Sequence, residues 1–142
     1  MYEIRHVNEE NFHLIKAFLK EVPDINEVDE NVLKKASILF KDNAVSGIIS
    51  YEAFFNYALI RYFVFKREVT EDVIIELFAS ILDSVSKENI GYIFSLVNQD
   101  DIYNLFRSLD FKEVAKEDVF IEEESYQNSR FKDTKLMIKS LV

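Results

Sequence analysis

The chain has 142 residues, a formal charge of −9 and a sequence pI near 4.7, is 49% hydrophobic and 14% aromatic, and contains no cysteine. Its length suits one domain, residues 1–142, with a core large enough to fold on. That acidic balance argues against a nucleic-acid or anionic-membrane partner, and the missing cysteine excludes disulfides, thiolate metal sites and a thiol nucleophile.

Residues 2–7 alternate as a short strand. Asn8 is placed to cap a helix whose apolar face is Phe12, Ile15, Phe18, Leu19 and Val22, and Pro23 ends it. Residues 24–35 are acidic and weakly helical. Two strands follow, 37–41 and 44–54, joined by an Asp42-Asn43 turn as a hairpin. Phe55-Asn56 turns the chain into a strong strand, Tyr57–Phe65. A helix is expected from residue 70 to 85, with Ile74, Leu77, Phe78, Ile81, Leu82 and Val85 on one stripe. Residues 92–97 (YIFSLV) read as a central strand. Ile102, Leu105, Phe106 and Leu109 then mark a helix over 100–109, residues 111–116 a strand, and 135–141 (KLMIKSL) a last strand. Strand, helix and strand over 57–97 imply one parallel pair with a right-handed crossover, and the other pairings are antiparallel. The fold class expected is α/β (α+β), a single mixed, mostly antiparallel sheet with helices on both faces.

The junction from Tyr57–Phe65 into the next helix reads Lys66-Arg67-Glu68-Val69-Thr70-Glu71-Asp72. A strand-to-helix turn offers free N–H groups and a positive dipole end, a natural phosphate seat. Here it has no glycine and three acids. Thr70 can cap the helix with its hydroxyl, and Glu71 and Asp72 complement the dipole, so the helix start can also be satisfied by its own side chains.

Four segments together resemble the GNAT family of acetyl-CoA-dependent N-acetyltransferases. Val45-Ser46-Gly47-Ile48-Ile49 is similar to its third strand. Residues 57–85 are similar to its strand–loop–helix core, 98–111 (NQDDIYNLFRSLDF) to its "N..A..lYeklGF" segment, and 136–141 to its last strand. The resemblance implies acetyl-CoA as donor and a small-molecule or protein amine as acceptor. It implies a cofactor-binding set of Phe63, Val64, Arg67, Val69, Thr70, Asp72 and Asn98, with an oxyanion-binding backbone N–H near Phe63-Val64. In the family's pyrophosphate loop, Arg67 takes the conserved first position, while Thr70 and Asp72 stand where small residues let the backbone approach phosphate. A like-charge pair at about 4 Å and an effective dielectric near 20 opposes binding by about 4 kcal/mol, and exposure reduces that.

Further departures touch catalysis. Phe106 stands where the family often has a tyrosine that protonates the leaving thiolate, and Phe has no proton to give. Tyr103, one turn earlier, is the candidate substitute. Glu52 is the nearest candidate for a base. Arg61, a lone cation on an apolar strand, suits either an acidic substrate or an ion pair. Asp110 replaces the glycine before Phe111, where a left-handed helix end is expected. His6 and His13 have no third ligand, so no metal is expected. Two readings stay open: an acyl-CoA-dependent N-acyltransferase, or a GNAT-fold binding or regulatory module without coenzyme A chemistry. Residues 53–65, the longest apolar stretch, are interrupted by Asn56 and Arg61 and are too short to cross a bilayer. A cytoplasmic protein, monomer or homodimer, is expected.

Overall fold

A computed structural model of the chain describes residues 1–22, 25, 28–97, 100–114, 120–121, 124–125 and 135–141. In chain order the elements are β1 (Tyr2–His6), α1 (Phe12–Lys20), α2 (Glu30–Leu33), β2 (Ser37–Lys41), β3 (Ala44–Ala53), β4 (Tyr57–Phe65), α3 (Glu71–Ser86), β5 (Tyr92–Val97), α4 (Asp100–Ser108), β6 (Lys112–Glu113), β7 (Phe120–Ile121), β8 (Glu124–Ser125) and β9 (Lys135–Ser140). Seven strands form one sheet in the order β1-β2-β3-β4-β5-β9-β6, and β7 and β8 form a separate two-stranded ribbon. The β4–β5 pair is parallel and the others are antiparallel, as the strand–helix–strand order implies.

Both faces of the sheet are covered. On one, α3 buries Ile74, Leu77, Phe78, Ile81 and Val85 against Leu39, Ile49, Tyr51, Ala58 and Ile60, and Phe106 of α4 joins them. Each such side chain contributes up to about 1.5–3 kcal/mol. On the other, Ile15 and Leu19 of α1 and Leu33 of α2 pack on Ile38, Phe40 and Ile48. Hereafter these are the α3 face and the α1 face.

Local chemistry sets the joints. Asp42 and Asn43 both have positive φ, 51° and 69°, the conformation of a tight hairpin turn that short amide and acid side chains tolerate. Asp110 closes α4 with φ 69°, and the Phe111 amide reaches back to the Phe106 carbonyl at 3.0 Å. That is the left-handed helix end expected of it. The first helix starts later than expected. Asn8 Oδ1 accepts from the amides of Glu10 and Asn11, and Asn11 Oδ1 accepts from the Asn8 amide, so a closed turn precedes Phe12. The short acidic helix α2 is capped by Asp29, whose carboxylate accepts from the Asn31 and Val32 amides. The β7–β8 ribbon was not expected: it falls in a stretch whose polar, acidic composition hides strand periodicity.

Gly47 has a packing role. A Cβ there would lie 3.1 Å from Cβ of Phe65 and 3.3 Å from the Val64 carbonyl oxygen. Its absence lets β3 and the end of β4 approach closely.

Candidate functional site

The parallel ladder between β4 and β5 is short. Its rungs are Tyr57–Tyr92, Ala58–Ile93 and Leu59–Phe94, and among the described residues none joins the strands beyond them. Past that point β4 still pairs with β3, and β5 still pairs with β9. The two strands therefore separate in the middle of the sheet.

A bulge in β4 sits at the point of separation. Ile49 pairs with Phe63 and Tyr51 with Ile60, so β4 spends one more residue than β3 between these rungs, at Arg61-Tyr62. A bulge changes which way the following side chains point. Ala58 and Ile60 face α3, and after the bulge Phe63 and Phe65 do so too, while Tyr62 and Val64 pack on the α1 face. Sequence alternation gave no sign of this shift, because both faces of residues 62–65 are apolar.

The turn after β4 is pinned at both ends. Lys66 donates its amide to the Ser46 carbonyl at 2.8 Å, and Val69 donates to the Lys66 carbonyl at 3.1 Å. Val69 is buried, whereas Lys66, Arg67, Glu68 and Thr70 are exposed. Thr70 occupies the N-cap position with extended backbone, φ −79° and ψ 159°, and its carbonyl accepts the first helical bond from Ile74. Its hydroxyl makes no capping hydrogen bond, contrary to the side-chain cap expected from sequence. The amides of the first turn of α3 therefore lack that cap.

Beside this helix start lies a groove of about 400 Å³, lined by Phe65, Glu71, Ile74, Asp101, Ile102, Asn104 and Leu105. It runs between the ends of β4, α3 and α4. Its carboxylates come from Glu71 and Asp101; Asp72, singled out in the sequence, is exposed and is not among the lining residues. The acid pair at the start of α4 was visible in the sequence, but its position beside α3 depends on tertiary packing.

Phe106 is 1% exposed and packs edge-on against Phe63, Phe78 and Phe111, with ring centroids 5.5, 6.3 and 4.8 Å away. Phe106 is thus part of an aromatic core that reaches β4. Tyr103 is half-buried at the flank of that core, with Lys135 Nζ 4.7 Å from its ring centroid. Glu52 lies on the α1 face, where Arg61 Nη1 donates to its Oε1 at 2.5 Å. The ion pair proposed for Arg61 is present. Phe63 and Val64 follow the bulge, and Arg67, Val69, Thr70 and Asp72 follow in the turn and helix start. Asn98 lies outside the described residues. No cluster able to hold a metal ion occurs among the described residues, and no helix there is long and apolar enough to cross a membrane.

A second polar network lies at the far end of α3. The Tyr51 hydroxyl donates to Glu88, and Lys35 Nζ donates to the same carboxylate at 2.6 Å. Burial, then the hydrogen bond and charge of Glu88, push the Tyr51 phenol well above its ordinary value. For Glu88, burial acts upward, but hydrogen bonds from Lys35 and Tyr51 and the Lys35 charge hold it below the ordinary 4.5.

A mixed sheet parted between its two parallel strands, with a helix start beside the opening, is the arrangement of the acyl-CoA N-acyltransferase fold. The chain has the GNAT fold. The N-acetylglutamate synthase of Neisseria gonorrhoeae, in complex with coenzyme A and N-acetyl-glutamate, matches with a TM-score of 0.80 and 16% identity, over 100% of this chain and 35% of that one. The chain thus spans about a third of that protein. A probable acetyltransferase from Staphylococcus epidermidis matches with a TM-score of 0.74 and 18% identity over 100% of both chains. Arabidopsis thaliana Naa50, in complex with the bisubstrate analogue CoA-Ac-MVNAL, matches with a TM-score of 0.74 and 14% identity over 99% of both. No protein-family model matches the sequence, and no curated protein matches it.

Proposed function

We propose that this protein is an acyl-CoA-dependent N-acyltransferase, with acetyl-CoA the simplest donor and an amine the acceptor. The observation that carries this reading is the separation of β4 from β5 after Leu59–Phe94, at a bulge and beside an α3 start without a hydroxyl cap. The pantetheine arm of the donor would lie in the groove. Phe65, Ile74, Ile102 and Leu105 offer that arm an apolar wall. The main chain of Phe63 and Val64 would flank the thioester. The first-turn amides of α3, with Val69, Thr70, Asp72 and the Arg67 side chain, would meet the pyrophosphate. Glu71 and Asp101 oppose those phosphates, so binding should be weaker than the fold alone would allow.

Acyl-CoA supplies a thioester whose carbonyl carbon forms a C–N bond with the amine as the C–S bond breaks. The chain's part is to orient the two reactants and to aim backbone N–H groups at the developing oxyanion. Phe106 offers no proton to the departing sulfur. A thiol pKa near 8.5 makes the thiolate a good leaving group at neutral pH, so loss of that donor is tolerable. Tyr103, one turn before Phe106, is the phenol of α4, and we assign it an auxiliary role.

Thermal melting with acetyl-CoA tests the reading. At about 100 times the dissociation constant the ligand should add about 2.7 kcal/mol, several degrees in Tm. Glu71→Gln should tighten binding about two- to fivefold, the size of one screened surface charge. No shift at millimolar acetyl-CoA overturns the donor assignment and leaves a GNAT-fold binding module.

A further inference from the structure

Arg61 stands two residues beyond the last rung between β4 and β5. Glu52 pairs across the sheet with Leu59, so Glu52, Leu59 and Arg61 share one face, the α1 face. A thioester entering the opening from the α3 side would be met from this face by its amine. The Arg61 and Glu52 side chains are 22% and 30% exposed, so a ligand can reach both. Among the described residues the guanidinium makes one hydrogen bond, from Nη1, and the rest of its five-donor fork is unused. Ser50, on the same face and across from the bulge, has a buried hydroxyl without a hydrogen-bond partner among the described residues. Tyr62 accepts the Asp29 amide at 2.9 Å, tying the chain just ahead of α2 to the same place.

Building on the acyltransferase reading, we propose that the acceptor is a small zwitterion, an amine that also carries a carboxylate, and that Arg61 selects it. A plain amine that pairs with Glu52 strips Arg61 of its counter-ion and leaves a half-buried cation alone. A zwitterion exchanges partners instead. Its carboxylate takes the guanidinium fork and its ammonium takes Glu52, so every charge stays paired. Glu52 is then released from Arg61 and lies against the nitrogen. It accepts one ammonium proton; the exposed lone pair attacks the thioester carbon and the C–S bond breaks. The second proton lost by nitrogen ends on the thiolate, giving amide and thiol. A free α-amino acid is the simplest such acceptor, and the chain's excess of acids does not repel it because its net charge is near zero.

The test uses the twenty L-amino acids and their C-terminal amides as acceptors, with acetyl-CoA and thiol release as readout. At least one free amino acid should exceed its amide about 100-fold in kcat/KM, since a site built for a polar group rejects the analogue lacking it. Arg61→Gln should bring the two within about threefold, mainly through KM, and Arg61→Lys should restore part of the difference. Amides or simple diamines used as well as the acids, or a preference unchanged in Arg61→Gln, would overturn the inference. Calorimetry of the same amino acids without donor separates this outcome from failure of the donor reading. Binding that is lost in the folded double variant Glu52→Gln/Arg61→Gln supports the acceptor assignment even if acetyl-CoA does not bind. Absence of amino-acid binding together with turnover of amides overturns the acceptor assignment alone, and absence of both binding and turnover overturns both.

Discussion

Phe106 is the residue at which packing and chemistry compete most directly. Its ring touches Phe63 on β4 and Phe78 on α3, so it ties the wall of the opening to the core. A hydroxyl at this position would enter an apolar cluster. Phe106→Tyr should therefore lower stability by about 1–3 kcal/mol, read as a fall in Tm, with no gain in acyl transfer. A rise in kcat without loss of stability would show that the hydroxyl reaches the sulfur. That Phe106 offers no proton was legible in the sequence, because a phenylalanine cannot act as an acid in any setting. The acids were less legible. Asp72 was the obvious obstacle by motif register, yet Glu71 and Asp101 line the groove. One position of rotation on a helix decides this, and periodicity does not fix the rotation of a polar first turn. Arg61 and Glu52 show the same limit. Each was visible as a charge on an apolar strand, but their pairing needed the hairpin register.

At the scale of elements, strand and helix bounds were read well where periodicity was strong. The bounds of β4 and β5 are those expected, and α3 and α4 agree within a residue. The bulge in β4 was not readable, although it sets which aromatic rings face the groove. The helix α3 also carries the tyrosine–carboxylate–lysine network beyond its C-terminal end. Glu88 has a folded pKa below its ordinary value, so it contributes stability above pH 4.5 that is lost as pH falls through the folded value. Tyr51, shifted the other way, contributes below pH 10.0 and loses that contribution as pH rises past it. Melting from pH 7 down to 3 should show the wild type losing its advantage over Glu88→Gln below pH 4.5. A difference that stays constant across this range would contradict the linkage.

At the scale of the molecule, the order of elements carried the fold. A parallel pair inside an otherwise antiparallel sheet, with one crossover helix and a final strand, leaves few arrangements open. What order could not give is the insertion of β9 between β5 and β6, or the early end of the β4–β5 ladder. Both are tertiary consequences, and together they make the opening. The acidity of the chain is likewise a property of the whole; it weakens the case for a phosphate-rich ligand without removing the groove that suits its apolar arm. The central claim is that the donor occupies the opening between β4 and β5. Backbone amide chemical-shift mapping on titration with acetyl-CoA tests it most directly. The account predicts the largest changes at residues 60–65, 69–73 and 101–105. Changes confined to other parts of the sheet, or none at saturating ligand, would contradict it.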